Sequence, residues 1–185
     1  MGQFINEIKR THTCGDLTAA DTGKTVVLFG WVANRRDHGG AVFIDLRDRY
    51  GLTQVVFDPS LVTVPEPLRE GLDLASVHKA HAEANAVLRS EYCLGVQGIV
   101  VSRGKNVNPK LRTGEIEVVA TKLEVFNRSE TPPFHIDDVI DTAEEKRLTH
   151  RYLDLRRRPL QDSLIRRAKA NTLVRNYFAH NGFLE

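Results

Sequence analysis

The chain has 185 residues, which is enough for one complete domain and part of a second. Hydrophobic residues make up 41% of it and charged residues 27%, which are ordinary proportions for a folded globular protein and exclude a disordered segment. No apolar run approaches the roughly 20 residues that cross a bilayer, and Cys14 and Cys93 lack the spacing of a disulfide framework or a zinc site, so we expect a cytoplasmic protein with no metal site and no membrane partner.

Five segments are predicted to be strands from their β-branched and aromatic residues and from the turn residues at their ends. They are residues 25–35, 41–48, 52–58, 94–103 and 115–126. Between the third and the fourth, residues 65–91 are rich in Ala, Leu, Glu and Lys, which favours helix. Three strands, a helix and two strands are the order of an OB-fold, an all-β five-stranded barrel that binds oligonucleotides. SH3-like barrels also have five short strands and remain an alternative.

The remainder of the chain is predicted to be a hinge and the beginning of another domain. Pro132 and Pro133 remove two backbone donors and bias the preceding residues to extended conformations. Residues 159–180 then show helix signals, with a proline in the first turn, apolar positions at helical spacing and Gly182 after the end. We therefore expect an OB-fold domain at 1–127, a hinge at 128–142 and an incomplete α+β domain at 143–185.

The charge of the chain differs between these parts. The net charge is +2, but residues 143–185 carry ten Lys/Arg against five Asp/Glu, whereas residues 1–142 carry 16 against 19. A negatively charged front region does not attract phosphates as a whole. If it binds nucleic acid, it must do so through a local patch.

One aromatic residue is predicted to lie on the outside of the barrel. In the second strand, the aliphatic residues alternate with Phe43, Asp45 and Arg47, so Phe43 lies on the polar face. A nucleic-acid base could stack on its ring, which is worth about 1 to 3 kcal/mol per base. Alternatively, the helix, the N-terminal segment or a neighbouring domain covers it.

Polar side chains near Phe43 are candidates for contacting bases. Glu117 alternates with apolar neighbours in GEIEVVA and should project from the outer face, where a carboxylate accepts from base amino and imino groups. The alternative is a solvated strand charge. Gln54 carries both a donor and an acceptor, but its strand is apolar on both faces, so its direction stays open.

Two basic segments border the same face. Arg35 and Arg36 end the first strand, and a short turn at residues 37–40 returns to the strand of Phe43, so a guanidinium lies near the ring. A solvated charge pair is the alternative. The loop at 103–110, RGKNVNPK, adds three basic groups and two Asn side chains at a position that borders the binding face in OB-folds.

Several runs resemble the bacterial aspartyl-tRNA synthetases, which are class II enzymes. They are RTHTCGDL, FGWVANRRDHGGAVFIDLRDRYGLTQVVFDP, LRSEYC, TGEIEV and HRYLDLRRRPLQ. RYLDLR also resembles the lysyl enzymes, but RRDHGGAVFIDLRDR together with TGEIEV points to the aspartyl family. The resemblance covers nearly the whole chain and is weakest at residues 60–86.

The resemblance implies ATP-dependent activation of aspartate and its transfer to tRNA(Asp), by a homodimer whose OB-fold reads the anticodon. Phe43 would stack on the middle anticodon base, with Arg36 and Gln54 bonding nearby. Glu117 would read the first base. Arg103 and Asn106 would lie near the third base or its backbone.

The same family places dimerisation and catalysis beyond the barrel. The helix after Pro159 resembles the start of class II motif 1, which builds the dimer interface, and the sequence ends before that motif is complete. Motifs 2 and 3 are absent, so no catalytic residue is assigned and the 185-residue chain is expected to be inactive alone. We expect no cofactor in this chain and assign ATP and Mg²⁺ to the parent enzyme.

One position bears on tRNA choice. Family members that charge the aspartate tRNA alone often have Leu at the position of His38, whereas those that also charge tRNA(Asn) often have His. Lys105 beside Asn106, however, resembles the discriminating type, so the two signals conflict.

Two other functions compete with this interpretation. A stand-alone single-stranded nucleic-acid-binding OB-fold protein would use the same face without base preference. Such proteins usually present several aromatics along a basic groove, whereas aromatic residues are only 7% here. A complete enzyme is opposed by the missing motifs.

Overall fold

The computed structural model describes residues 7–184, and within it the chain divides into two compact units at Thr131 and Pro132. This division falls inside the predicted hinge at 128–142. The predicted domains at 1–127 and 143–185 reach into residues 1–6 and 185, which lie outside the described range.

The first unit is a closed five-stranded barrel with strand order β1-β2-β3-β5-β4. Its strands are β1 Thr25–His38, β2 Ala41–Arg47, β3 Leu52–Phe57, β4 Cys93–Ser102 and β5 Ile116–Asn127. The pairing of β3 with β5 is parallel, and the other pairings are antiparallel. The predicted OB-fold barrel is confirmed.

The segment between β3 and β4 forms the helices α1, Glu66–Arg69, and α2, Leu74–Val87. Asp73 caps α2, because its side chain accepts hydrogen bonds from the backbone amides of residues 75 and 76. Val77, Ala80 and Ala84 share one side of α2 and are buried against the barrel. The predicted helical segment is confirmed, and burial of small side chains lets α2 lie close to the sheet.

The first strand is longer than predicted and ends at a tighter turn. His38 pairs with Ala41, so residues 37 and 38 belong to β1 and the turn consists of Gly39 and Gly40. Both glycines have positive φ, +59° and +86°, as the type I′ turn of a two-residue hairpin requires. The prediction of a turn at residues 37–40 is therefore wrong, because the turn begins two residues later. Gly39 and Gly40 adopt positive φ angles at little cost, so two residues are enough to reverse the chain.

A β-bulge interrupts β1 and reverses its side-chain alternation. Val32 lies opposite Leu46, but Asn34 lies opposite Asp45, which leaves one extra residue in β1. Val32 is buried, whereas Asn34 is exposed only two residues further on. The second half of β1 therefore presents the opposite set of side chains to the outside of the barrel.

The second unit contains the helices α3 Glu144–Thr149, α4 Arg151–Asp154 and α5 Arg158–His180. The predicted helix at 159–180 is confirmed as α5, whereas α3 and α4 were not predicted. Apolar side chains of α5 are exposed along its length: Leu164, Leu173, Val174, Tyr177 and Phe178. Within residues 7–184, no helix has both the length and the apolar character that crossing a membrane requires.

An arginine cluster around one buried carboxylate holds the start of the second unit together. Asp154 is fully buried and lies 2.7 Å from a nitrogen of Arg157 and 2.8 Å from one of Arg151. Arg157 also donates to the backbone carbonyls of Asp137 and Asp138, at 2.7 and 2.8 Å. Burial alone would raise the pKa of Asp154, but the hydrogen bond from Arg157 and the surrounding arginine charges lower it.

Candidate nucleic-acid interface

A cavity of about 540 Å³ lies on the outside of the barrel, where β1, β2, β3 and β5 meet the loop after β4. This volume is in the range of small-ligand sites. Its lining contains Arg36, Asp37, His38, Phe43, Gln54, Thr63, Ser102, Arg103, Asn106 and Glu117. All seven residues that the sequence singled out for recognition are thus brought together, although they come from four strands and a loop.

Phe43 lies in the wall of this cavity. It is opposite Arg36 on β1 and Val56 on β3, and its ring is partly exposed. The neighbouring Val42 and Ile44 are buried in the barrel core, as the alternation predicted. The ring therefore offers an accessible face among hydrogen-bonding groups, which suits a stacked base.

The β-bulge decides which arginine faces the cavity. Because the bulge shifts the register of β1, Arg36 shares the outer face with Phe43, whereas Arg35 lies opposite the buried Ile44. A Nη2 atom of Arg36 donates to Asp45 Oδ1 at 3.1 Å and to Gln54 Oε1 at 3.2 Å. The side chain of Arg36 nevertheless stays 57% exposed, so the guanidinium is held in place while most of its five donors remain available.

Gln54 and Glu117 form the floor of the site. Parallel pairing of Val55 with Val118 places the preceding residues of β3 and β5 side by side. Gln54 Nε2 donates to Glu117 Oε2 at 2.8 Å, and both residues are buried. With its oxygen facing Arg36 and its nitrogen facing Glu117, the Gln54 amide has one orientation that satisfies both neighbours. The direction of Gln54, which the sequence left open, is thereby settled.

The alternative interpretation of Glu117, a solvated strand charge, is wrong. Glu117 does point away from the barrel core, but only 7% of its surface is exposed. Burial raises the pKa of Glu117, and the hydrogen bond from Gln54 and the charge of Arg103 only partly oppose this rise. A carboxylate held in this way is a strong acceptor for a ligand N–H.

Arg103 brings unpartnered donors to the same floor. Its Nε lies 3.9 Å from Glu117 Oε2, beyond hydrogen-bond range. Nε and Nη1 are both buried and have no hydrogen-bond partner among the described residues. Such groups cost free energy unless an acceptor satisfies them. Asn106 ends a short 3₁₀ turn, and its backbone amide donates to the carbonyl oxygen of Arg103 at 2.9 Å.

Several polar residues at the site were not predicted from the sequence, among them Asp45 and Thr63. Asp45 accepts from Arg36 and, at 3.3 Å, from Asn34 Nδ2. Its alternation with Phe43 in β2 was the signal that could have identified it. Thr63 also lines the cavity, but no pattern in residues 60–86 pointed to it.

The local charge of the cavity is mixed. Arg36 and Arg103 are accompanied by the carboxylates of Asp37, Asp45 and Glu117. Such a surface gains little from general attraction to phosphates. Its fixed donors and acceptors fit base edges better, because base edges present donors and acceptors in patterns.

Comparison with known families agrees with this geometry. Residues 26–126 match the family described as OB-fold nucleic acid binding domain, and residues 143–185 match the family described as tRNA synthetases class II (D, K and N).

The chain is similar over its whole length to bacterial proteins. It is 65% identical to the aspartate–tRNA(Asp/Asn) ligase of Anaeromyxobacter sp. (strain K), over 100% of this chain and 28% of that protein. It is 50% identical to the aspartate–tRNA(Asp/Asn) ligase of Syntrophotalea carbinolica, with the same coverage. The chain therefore spans less than a third of the curated relatives it matches. The resemblance indicated by the motifs is confirmed.

Solved structures show the same fold at low identity. The aspartyl tRNA synthetase from Entamoeba histolytica has a TM-score of 0.76 and 19% identity, over 100% of this chain and 40% of that one. The asparaginyl-tRNA synthetase from Pyrococcus horikoshii has a TM-score of 0.65 and 24% identity, over 95% and 36%. At these identities the likeness concerns the fold.

Proposed function

The chain belongs to the family of OB-fold nucleic acid-binding domains, and we propose that it is the anticodon-binding part of an aspartate–tRNA ligase. The observation that carries the proposal is the cavity around Phe43, where an accessible ring is surrounded by donors and acceptors of fixed orientation. Stacking supplies affinity for any base, and the polar groups around the ring supply the choice between bases.

Six of the lining residues have a proposed role in reading three consecutive bases. Phe43 stacks on the middle base, and Arg36 and Gln54 bond its edge. Glu117 accepts from the first base. Arg103 and Asn106 bind the third base or its backbone, which would give an acceptor to the buried nitrogens of Arg103.

The chemistry of the ligase is proposed for a longer protein, since the chain covers 28% of the relatives with that name. ATP and Mg²⁺ would act there in forming aspartyl-adenylate. No group of three or more His, Cys, Asp or Glu side chains in residues 7–184 is arranged to hold a metal ion, so no step of that chemistry is assigned to these residues. The proposed place of action is the cytoplasm, where tRNA is charged.

The proposed domain organisation keeps the barrel at 1–127, the hinge at 128–142 and the first part of the catalytic domain at 143–185. Exposed apolar side chains along α5 support a role in dimerisation, because large apolar patches usually mark interaction sites. We propose a homodimer of the longer protein that uses this face.

The proposed substrates are tRNA(Asp) and tRNA(Asn). His38 lines the cavity, whereas Lys105 is exposed beside it and is not part of the lining. This difference favours the signal from His38, as does the Asp/Asn designation of the relatives. Charging of both tRNAs by the full-length enzyme, compared between wild type and His38→Leu, tests this point.

Titration of an anticodon stem-loop into the 185-residue chain tests the binding proposal. We expect Phe43→Ala to weaken binding by about 1 to 3 kcal/mol, because one stacked base is lost. Tyr50→Ala is a matched control, since Tyr50 is an exposed aromatic residue outside the cavity lining. Equal affinities of wild type and Phe43→Ala would contradict the stacking role. An equal preference for unrelated single strands would favour a binder without base selectivity.

A further inference from the structure

We propose that helix α2 holds the β1–β2 hairpin in the position that completes the cavity, with His81 as the main positioning residue. This inference rests on the proposed function where RNA binding is concerned. It assigns a role to residues 60–86, the part of the chain in which the family motifs are weakest.

The end of β1 in the hairpin has less support from the barrel than β2 has. Strand β4 pairs with β1 only over Thr25–Trp31. In the part of the chain that the structure describes, residues 34–38 of β1 pair with β2 alone. At the turn, a Cβ atom added to Gly39 or Gly40 would meet no atom within 4 Å. Residues 34–38 of β1 therefore have one edge without a paired strand, whereas β2 is also paired with β3 as far as Val42. Three of the residues that line the cavity, Arg36, Asp37 and His38, lie on this part of β1.

His81 makes a direct contact from α2 to the turn. Its Nε2 lies 2.9 Å from the carbonyl oxygen of Gly40. A carbonyl can only accept, so the Nε2–H of the imidazole is the donor. The bond joins a helix to the tip of the hairpin across 41 positions of sequence. Gly40 is in the turn that connects the strand of Arg36 to the strand of Phe43.

Arg35 makes a second link between the same two elements. Its Nη2 lies 3.3 Å from the carbonyl oxygen of Asn85 and 3.0 Å from Asp37 Oδ1. Asn85 is in the last turn of α2, where carbonyls lack intrahelical partners and carry partial negative charge. A guanidinium is therefore favoured there. Because of the β-bulge, Arg35 turns to α2 while Arg36 turns to the cavity.

Helix α2 is itself held in place by its N-terminal cap and by its packing on the barrel, so it can support the hairpin. It is capped by Asp73, and Val77, Ala80 and Ala84 anchor it in the barrel core. His81 and Asn85 are four residues apart and so lie on one face of the helix. Both contacts to the hairpin therefore come from one anchored surface. Loss of either should increase the mobility of the hairpin without unfolding the barrel.

Amide hydrogen exchange in the RNA-free chain tests the support directly. In His81→Ala we expect residues 36–43 to exchange roughly threefold to tenfold faster, the effect of losing one hydrogen bond of ordinary strength. Affinity for the anticodon stem-loop should fall by a similar factor. His81→Gln should restore both values, because its Nε2 can donate to the same carbonyl. His78→Ala is the matched control, since His78 is exposed on the same helix, whereas the contact with the Gly40 carbonyl belongs to His81.

The outcomes separate this inference from the proposed function. Unchanged exchange at residues 36–43 in His81→Ala, or a change that Gln does not rescue, would overturn the positioning role of His81. If the wild-type chain does not bind the stem-loop while exchange responds as expected, the support of the hairpin stands and the anticodon function fails. A thermal midpoint that falls equally in His81→Ala and His78→Ala would indicate general destabilisation and would also overturn the inference.

Discussion

Replacement of Glu117 by Gln should increase the stability of the barrel and reduce its selectivity for RNA. The substitution keeps the size of the side chain and an oxygen that can accept from Gln54, whose Nε2 now bonds Glu117 at 2.8 Å. It removes a buried negative charge. Because burial raises the pKa of Glu117 despite Gln54 and Arg103, the surroundings disfavour the carboxylate and should accept the neutral amide more readily.

The sign of the pH dependence follows from the raised pKa. The folded state holds the Glu117 proton more tightly than the unfolded state, so the contribution of this group to stability is largest at low pH. It declines as the pH rises from the ordinary carboxyl range through the raised pKa. The stability difference between Glu117→Gln and wild type should therefore widen over that interval and be constant above it.

Glu117→Gln should weaken RNA binding although it increases stability. A guanine in the first anticodon position presents two adjacent N–H donors, and a hydrogen bond to a charged acceptor is worth about 1.5 to 3 kcal/mol. Loss of the charge should weaken binding of that stem-loop roughly tenfold to a hundredfold. A stem-loop with adenine there should lose much less, because adenine places an acceptor toward the carboxylate.

Fluorescence anisotropy with the two stem-loops, together with urea denaturation of both proteins at pH 5 and pH 7.5, measures these quantities. Wild type should also bind the guanine stem-loop more weakly as the pH falls through the raised pKa, whereas Glu117→Gln should not show this component. A Glu117→Gln protein less stable than wild type at pH 7.5 would contradict the predicted cost of the buried charge. An equal ratio of affinities for the guanine and adenine stem-loops in both proteins would contradict the predicted role in selectivity.

Three further predictions concern the framework. Asp154→Asn should destabilise the second unit by about 3 kcal/mol, because it leaves arginines around a buried site without their carboxylate, and circular dichroism during urea titration should show the loss. Burial, with nearby Asp48 adding to it, raises the pKa of Cys14 far above its usual range, so mass spectrometry after iodoacetamide treatment should find Cys14 unmodified until the chain unfolds. Gly98→Ala should cost about 1 to 3 kcal/mol, measured as a lower denaturation midpoint, because the new Cβ would lie 2.4 Å from the carbonyl oxygen of Val119.

The sequence predicted the strands well because their signals are local. Alternation of apolar residues in β2 and turn residues at the strand ends placed four of the five strands within one residue at each end. The exception, β1, extends three residues beyond its predicted end. Its turn depends on the positive φ angles of Gly39 and Gly40, and a Gly-Gly pair does not indicate from sequence how tight the turn will be.

The parts of the site that escaped prediction depend on contacts between distant segments. Without the bulge after Val32, a period of two would direct Arg36 into the barrel with Val32, and nothing in the sequence marks the extra residue. The bulge forms where the loop before β4 bonds β1, with the Glu91 amide donating to the Val32 carbonyl at 2.7 Å. The burial of Glu117 similarly requires the parallel pairing of β3 with β5.

One of these failures, the burial of Glu117, lies at a point where the fold carries an energetic cost, and Arg103 beside it carries another. The surroundings of Glu117 raise its pKa, and two buried nitrogens of Arg103 lack hydrogen-bond partners within residues 7–184. Neither feature helps a barrel to fold, since a packed apolar floor would be more stable. Both would be relieved by a stretch of RNA that donates to the carboxylate and accepts from the guanidinium, since nucleobases carry both kinds of group. Local sequence patterns reflect the requirements of folding, so we expect them to fail where an arrangement serves binding instead.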